Sequence, residues 1–385
     1  MKIIRTMNKI AEVGLNELDK NKYAISDTAE NPDAIMVRSA SLHDMEFGYK
    51  LTAIVRCGAG VNNIPVDRCA EKGIVVFNTP GANANGVKEL AVAALLLASR
   101  NIIGGVEWAN TLESDVAKQV EKGKGSFGGC EILGKSLGVI GLGAIGGMVA
   151  NTAKSLGMKV TGYDPYITIN AAWHLSRSIA QASSYDEIFE KSDYITLHVP
   201  ATKDTKGMIN KDTIAKMRDG VKIINLSRAD LVNIEDMKAA LESGKVSAYV
   251  ADFPTEDSIN TKGIITIPHL GASTLESEDN CAVMASHELD DFLQNGNITN
   301  SVNYPSISLP YSGGGRLLIL HKNVPNIISR ITSNISAEGI NIDNMANRSK
   351  GDFACTLIDM PELASDKLIE KISEIENIIR IIKVN

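Results

Sequence analysis

Residues 139–146 read Val-Ile-Gly-Leu-Gly-Ala-Ile-Gly. These glycines, spaced G-x-G-x-x-G, follow the apolar run Leu137-Gly-Val-Ile140 and open an amphipathic stretch from Ala144 to Leu156. A strand, a glycine turn and a helix in that order predict a βαβ unit whose turn holds a dinucleotide pyrophosphate. Gly141 permits the tight turn, Gly143 lets the backbone approach the phosphates, and Gly146 lets helix and strand pack closely. The next strand, Lys159-Val-Thr-Gly-Tyr163, ends at Asp164, eighteen residues after Gly146. A carboxylate there accepts hydrogen bonds from ribose hydroxyls and repels a 2′-phosphate, which favours NAD over NADP.

The alternation of strand and helix extends in both directions. Upstream, Ala34–Arg38, Leu51–Arg56 and Ile74–Phe77 read as buried parallel strands, followed by a helix over Val87–Arg100 that is apolar nearly all round. Downstream, strands are predicted at Tyr194–Val199, Val221–Leu226, Ser247–Ala251 and Ile264–Ile267. Helices between them are marked by Ser184-Tyr-Asp-Glu187 and by a run from Ile234 closed at Gly244. A long helix is predicted over Thr274–Gln294. The fold class is therefore α/β: two doubly wound parallel-sheet, Rossmann-like domains. After Tyr311-Ser-Gly-Gly-Gly-Arg316, read as a flexible joint, the pattern strand-helix-strand-strand-helix-strand predicts a small α+β, ferredoxin-like module. The expected boundaries are 1–98 with 270–300, 99–269, and 316–385.

Composition adds exclusions. The net charge of -7, from 39 basic and 46 acidic residues with no basic block, gives no footprint for nucleic acid or an anionic membrane. The longest plainly apolar run, Leu90–Ala98, is far short of the roughly 20 residues needed to cross a bilayer. Five scattered cysteines without C-x-x-C spacing argue against a metal site or a disulfide framework, and suit a cytoplasmic location.

Ligands of such sheets bind at the carboxyl ends of strands, which singles out Arg38, Arg56 and Asn78 in the first half. Arg228, Glu256 and His269 hold the matching places in the second half. A histidine beside a carboxylate can donate a proton to a carbonyl oxygen that gains charge. An arginine can hold a carboxylate through a planar two-pronged contact.

With these blocks in view the chain resembles the NAD-dependent D-2-hydroxyacid dehydrogenases over nearly its whole length. The likeness rests on Arg56-Cys-Gly-Ala-Gly-Val-Asn-Asn63, Phe77-Asn-Thr-Pro80, the glycine turn with Tyr163-Asp-Pro165, Leu197-His-Val-Pro200, and the segments carrying Arg228, Glu256 and His269. Within the family it is most similar to members that oxidise D-3-phosphoglycerate, the first step of L-serine biosynthesis. The resemblance implies that Arg228 binds the substrate carboxylate and carbonyl oxygen, and that His269 is the general acid/base. It pairs His269 with Glu256, unless the adjacent Asp257 serves instead. It places cofactor contacts on Gly141, Gly143, Ala144, Ile145, Gly146, Asp164, Pro200, Asp252 and Gly271, with Asp252 at the nicotinamide carboxamide. A phosphorylated acid needs further cations, for which Arg38, Arg56 and Lys124 are candidates. Lys88 would add another if it faces the cleft.

Three departures stand out: Arg228-Ala229 where Arg-Gly is usual, Ala144 where many relatives carry arginine, and Pro325-Asn326 where Pro-Gly is usual. The C-terminal module resembles an ACT domain, a small amino-acid sensor. His321, Asn323 and Asn341 match the spacing of its serine-binding positions, which implies an L-serine effector and a homo-oligomer, dimer or tetramer. The alternatives are a dehydrogenase for another 2-hydroxy acid and a non-catalytic NAD-sensing protein.

Overall fold

The computed structural model describes residues 1–311 and 313–384. It divides into two compact units, Met1–Asn83 with Leu275–Asn385, and Ala84–Thr274. Ser312 of the glycine segment lies outside the described residues.

The first unit contains an all-parallel five-stranded sheet. In sheet order its strands are Tyr23–Ser26, Lys2–Met7, Ala34–Val37, Ala53–Arg56 and Val75–Asn78. Ala34–Val37 is buried throughout because cores lie on both faces of the sheet. The first two strands carry no unbroken apolar run, which is why sequence pattern overlooks them. Leu275–Asn295 is the long helix expected from Thr274, and it buries Cys281, Ala282, Ala285, Leu289 and Phe292 along one stripe.

The same unit carries the C-terminal sheet, antiparallel, in the order Asn344–Lys350, Phe353–Met360, Gly315–Lys322, Ile378–Val384. That is the predicted ferredoxin-like order. The helices Ile327–Ala337 and Asp366–Ser373 cover one face with Ile331, Ile335, Leu368 and Ile372 against Leu317 and Ile319. The opposite face, with Leu318, Leu320, Cys355 and Leu357, joins the core formed by Phe292, Leu293, Ile298 and Tyr304. Burial on both faces explains the uninterrupted Leu317-Leu-Ile-Leu320.

The glycine segment, read from its composition as a flexible joint, is closely packed at its C-terminal end. A Cβ on Gly315 would stand 1.9 Å from the Glu362 carbonyl oxygen, so this glycine permits close packing rather than freedom. Next to it, Arg316 is fully buried and spends all five N–H donors. Two go to Asp359, from Nε to Oδ1 at 2.5 Å and from Nη2 to Oδ2 at 2.9 Å. The others reach the carbonyls of Asn295, Leu309 and Pro310 at 2.9, 3.0 and 3.1 Å. The module is thus clasped to the segment that leads into it.

The second unit is a seven-stranded parallel sheet. Its order is Ile264–Thr266, Val246–Ala251, Val221–Asn225, Tyr194–Leu197, Ser136–Ile140, Lys159–Tyr163, Ala180–Gln181. The switch in direction of winding falls beside Ser136–Ile140, the strand that leads into the glycine turn. Helix Ala84–Ser99, expected in the first domain, belongs to this unit. Its Val87, Ala91, Ala94 and Ala98 pack with Val139, Val149, Ala150 and Ala153. Ser184 caps Tyr185–Lys191 by accepting from the Glu187 amide at 3.2 Å, while the Glu187 carboxylate reaches Ser183 rather than Ser184. No single helix among the described residues is long and apolar enough to cross a membrane.

Candidate active site

In the second unit the glycine turn is shaped as its spacing predicts. Gly141 has φ 88°, and a Cβ there would meet the His198 carbonyl oxygen at 2.4 Å. A Cβ on Gly146 would lie 1.9 Å from the Gly141 carbonyl oxygen. Over Gly143 there is open space, and Ala144 and Ile145 start helix Ala144–Ser155 behind it. Bare backbone at a helix start suits a pyrophosphate. Ala144 is exposed, so no side chain here reaches over the turn as an arginine would. Asp164 closes the neighbouring strand and accepts from the amides of Leu142 and Tyr166, each at 2.9 Å. It therefore braces the glycine turn, and each oxygen keeps a further lone pair for a ribose hydroxyl. Beside the turn, His198 is half-buried, and desolvation of its ring pushes its pKa down to about 4, so it stays neutral at physiological pH. Pro200, two residues on, is exposed, and its carbonyl accepts from Thr205 Oγ1 at 2.6 Å.

The second group of side chains stands at the carboxyl ends of Val221–Asn225 and Val246–Ala251. Buried Asn225 holds the Arg228 loop: its Nδ2 donates to the Arg228 carbonyl at 2.8 Å and its Oδ1 accepts from Ser227 N at 3.1 Å. Arg228 is extended, and Ala229 opens a short 3₁₀ turn through Leu231. No positive φ is needed there, so alanine replaces the usual glycine without strain. The Arg228 guanidinium lies 5.6 Å from the centre of the Phe253 ring, and the His269 ring lies 4.6 Å from that centre. Phe253 is thus a shared platform for these two side chains. Sequence reading passed over it and Asn225, since neither carries the chemistry that a motif search looks for.

His269 has φ 52°, a left-handed conformation unusual for a non-glycine residue. Asp252, buried, holds this loop from below. Its Oδ1 accepts from Leu270 N at 2.7 Å and its Oδ2 from Gly271 N at 2.8 Å. Burial raises the Asp252 carboxyl above its usual range, against the lowering effect of those amides. So Asp252, expected at the cofactor, also fixes the histidine loop. Glu256 and His269 are not brought together: no hydrogen bond or ion pair joins them among the described residues. Glu256 sits exposed on a loop three residues beyond Phe253, and Asp257 is drawn 3.7 Å from Lys238.

In the first unit Arg38, Arg56 and Asn78 end three neighbouring strands, with Val37 opposite Arg56 and Arg56 opposite Asn78. Arg56 Nε donates to the Arg38 carbonyl at 3.1 Å, and Asn78 Nδ2 to the Ala59 carbonyl at 2.5 Å. Arg38 is ion-paired with Glu278 at 2.5 Å. Lys124 lies on an exposed turn paired with Glu121 at 2.5 Å, and Lys88 is 3.6 Å from Glu89.

In the C-terminal module His321 lies on Gly315–Lys322, an interior strand of the sheet. It is buried, with Nδ1 on the Lys322 carbonyl at 2.8 Å and Nε2 on Thr356 Oγ1 at 2.9 Å. Asn323 and Asn341 are exposed. Asn326 adopts φ 64° before helix Ile327–Ala337, which explains why asparagine can stand where glycine is usual.

Comparison with known proteins agrees with this geometry. The model of the D-isomer specific 2-hydroxyacid dehydrogenase NAD-binding domain matches residues 92–274. A D-3-phosphoglycerate dehydrogenase of Escherichia coli is 32% identical over 344 residues, covering 86% of this chain and 81% of that one. One of Bacillus subtilis is 33% identical over 300 residues, 76% of this chain and 55% of that one. The chain spans about half the length of the Bacillus subtilis and Synechocystis relatives, 55% and 54%. The NAD+-bound 3-phosphoglycerate dehydrogenase of Entamoeba histolytica superposes with a TM-score of 0.61 at 27% identity, covering 78% of this chain and 98% of that one. The chain belongs to the D-isomer specific 2-hydroxyacid dehydrogenase family. Its glycine turn, Asp164 and the strands around them are the NAD-binding domain of that family.

Proposed function

We propose that the protein oxidises D-3-phosphoglycerate at C2 with NAD, giving 3-phosphohydroxypyruvate for L-serine biosynthesis. The observation that carries this reading is the placement of Arg228 and His269 on the Phe253 ring in an NAD-binding domain. The names of the E. coli, B. subtilis and E. histolytica relatives support the substrate.

Gly141, Gly143 and Gly146 leave the backbone bare for the pyrophosphate, and Asp164 has lone pairs for the ribose. Bound NAD supplies the acceptor for the C2 hydride. His269 takes the proton from the C2 hydroxyl and returns it in the reverse direction. Arg228 holds the carboxylate by its two-pronged contact. Asp252 and Asn225 fix the loops that carry these two side chains. Arg38 and Arg56 are the candidates for the phosphate.

L-serine feedback is the finer part of the proposal. It is supported by the ferredoxin-like order of the module and by exposed Asn323 and Asn341, which can bind the ends of a zwitterion. A homo-oligomer is supported by helix Ile102–Ala109, which buries no residue and leaves Ile102, Ile103 and Val106 45%, 43% and 55% exposed. Five free thiols suit the cytoplasm.

NADH oxidation with phosphohydroxypyruvate, hydroxypyruvate, pyruvate and 2-oxoglutarate tests the substrate. Phosphohydroxypyruvate is expected to give the highest kcat/KM, and preference for an unphosphorylated acid sinks the assignment. The Arg38–Glu278 pair, which engages one of the two arginines, favours that second reading. Addition of L-serine to the same assay tests regulation: indifference of the wild type ends the effector proposal.

A further inference from the structure

Arg38 and Arg56 end adjacent strands of the first unit, and helix Leu275–Asn295 passes beside them. In its first turn Glu278 accepts from Arg38 Nη2 at 2.5 Å, across 240 residues of sequence. The Cys281 thiol, three residues along, is pushed up by burial and by Glu278 and drawn down by Arg56 and Arg38. The Arg38–Glu278 contact therefore ties the first turn of this helix to the end of the strand that precedes Arg38. The ion pair stays within reach of solvent, with the Arg38 side chain 42% and the Glu278 side chain 36% exposed. An exposed pair of this kind adds little to fold stability and opens readily. Its place is where ligands of parallel sheets bind.

A substrate phosphate ester carries about -1.5 to -2 at neutral pH and competes with the Glu278 carboxylate for the Arg38 guanidinium.

We propose that Glu278 is a specificity-determining residue: its carboxylate is the resident counterion of Arg38, which a substrate phosphate must displace. The inference rests on the reading that places the substrate's second anion at Arg38. Glu278 then weakens capture of free phosphate and raises KM for the phosphorylated acid. Glu278→Gln keeps the size and removes the charge.

The test titrates the full chain with inorganic phosphate by calorimetry, for wild type, Glu278→Gln, Arg38→Met and the double variant. Glu278→Gln is expected to bind phosphate roughly fivefold tighter, the scale of an exposed ion pair. Arg38→Met weakens binding, and the double variant shows none of the gain. In parallel, KM for phosphohydroxypyruvate falls by a similar factor in Glu278→Gln, with the change carried by KM rather than kcat. Unchanged or weaker phosphate binding by Glu278→Gln overturns the proposal. So does a gain that survives in the Arg38→Met background, or the absence of phosphate binding in all four proteins. Failure of the wild type to reduce phosphohydroxypyruvate removes the substrate assignment instead, while the phosphate titration still decides the role of Glu278.

Discussion

Phe253 and Asp252 hold His269, the side chain proposed to transfer the proton. His269 holds φ 52° at a cost on the order of 1–3 kcal/mol, and Asp252 secures that conformation through the two amides that follow it. The ring then rests against Phe253, which also lies under Arg228. Phe253→Ala should lower kcat/KM by roughly tenfold to a hundredfold through lost orientation, with NADH affinity retained. Steady-state kinetics beside NADH fluorescence titration checks this, and unaltered kinetics would remove Phe253 from the account. A different residue governs pH stability. Burial lifts the Glu288 carboxyl to about 7; Asn300 Nδ2 donates to its Oε1 at 2.6 Å, and its Oε2 has no partner. Its folded pKa exceeds the unfolded value, so the native state binds the extra proton. Stability from this group is greatest below the unfolded pKa of about 4.3 and falls as pH rises towards 7. Glu288→Gln should therefore stabilise the protein at pH of about 8 by on the order of 1–3 kcal/mol, and confer no gain near pH of about 4. Urea unfolding at both pH values measures the difference, and an equal gain at both contradicts the assignment.

At the scale of elements, legibility followed the range of the interactions. The turn from Gly141 to Gly146 is visible in sequence because everything that shapes it lies within one βαβ unit. Gly244, with φ 76°, ends helix Ile234–Glu242 for an equally local reason. Lys2–Met7 and Tyr23–Ser26 were overlooked because their places depend on pairing with each other and with Ala34–Val37. Gly315 reads as flexible in sequence because composition does not reveal that Glu362 packs against it or that Arg316 is enclosed. Gly315→Ala should cost more than about 2 kcal/mol, since backbone must shift to admit the methyl group. Asn326→Gly should change stability by less than about 1 kcal/mol, because both residues tolerate the left-handed conformation. Thermal unfolding of the two variants tests the contrast. Asp359→Ala, which strands a buried guanidinium, should cost about 3–5 kcal/mol.

Across the whole molecule, the C-terminal module is a continuation of the first unit's core and not a separate bead. Leu318 and Leu320 share a cluster with Phe292 and Tyr304, and Lys350 Nζ donates to the Ser301 and Val302 carbonyls at 3.1 and 3.0 Å. Sequence reading separated the module because its own strand and helix pattern is complete. Nothing local signals which face of its sheet is covered. Native-state hydrogen exchange should give similar opening free energies for Gly315–Lys322 and Ala34–Val37. Much weaker protection of the module would show that it opens by itself. Leu320→Ala should cost about 2–5 kcal/mol and lower protection in both sheets. The central proposal nevertheless concerns the second unit: that His269 is the proton-transferring residue of an NAD-dependent 2-hydroxyacid dehydrogenase. The most direct measurement follows NADH formation from D-3-phosphoglycerate and NAD in the wild type and in His269→Ala, with NADH binding measured on both. The account predicts turnover by the wild type and, in the variant, loss of most turnover with NADH affinity preserved. Retained turnover in His269→Ala, or a wild type that neither binds NADH nor turns over, would contradict it.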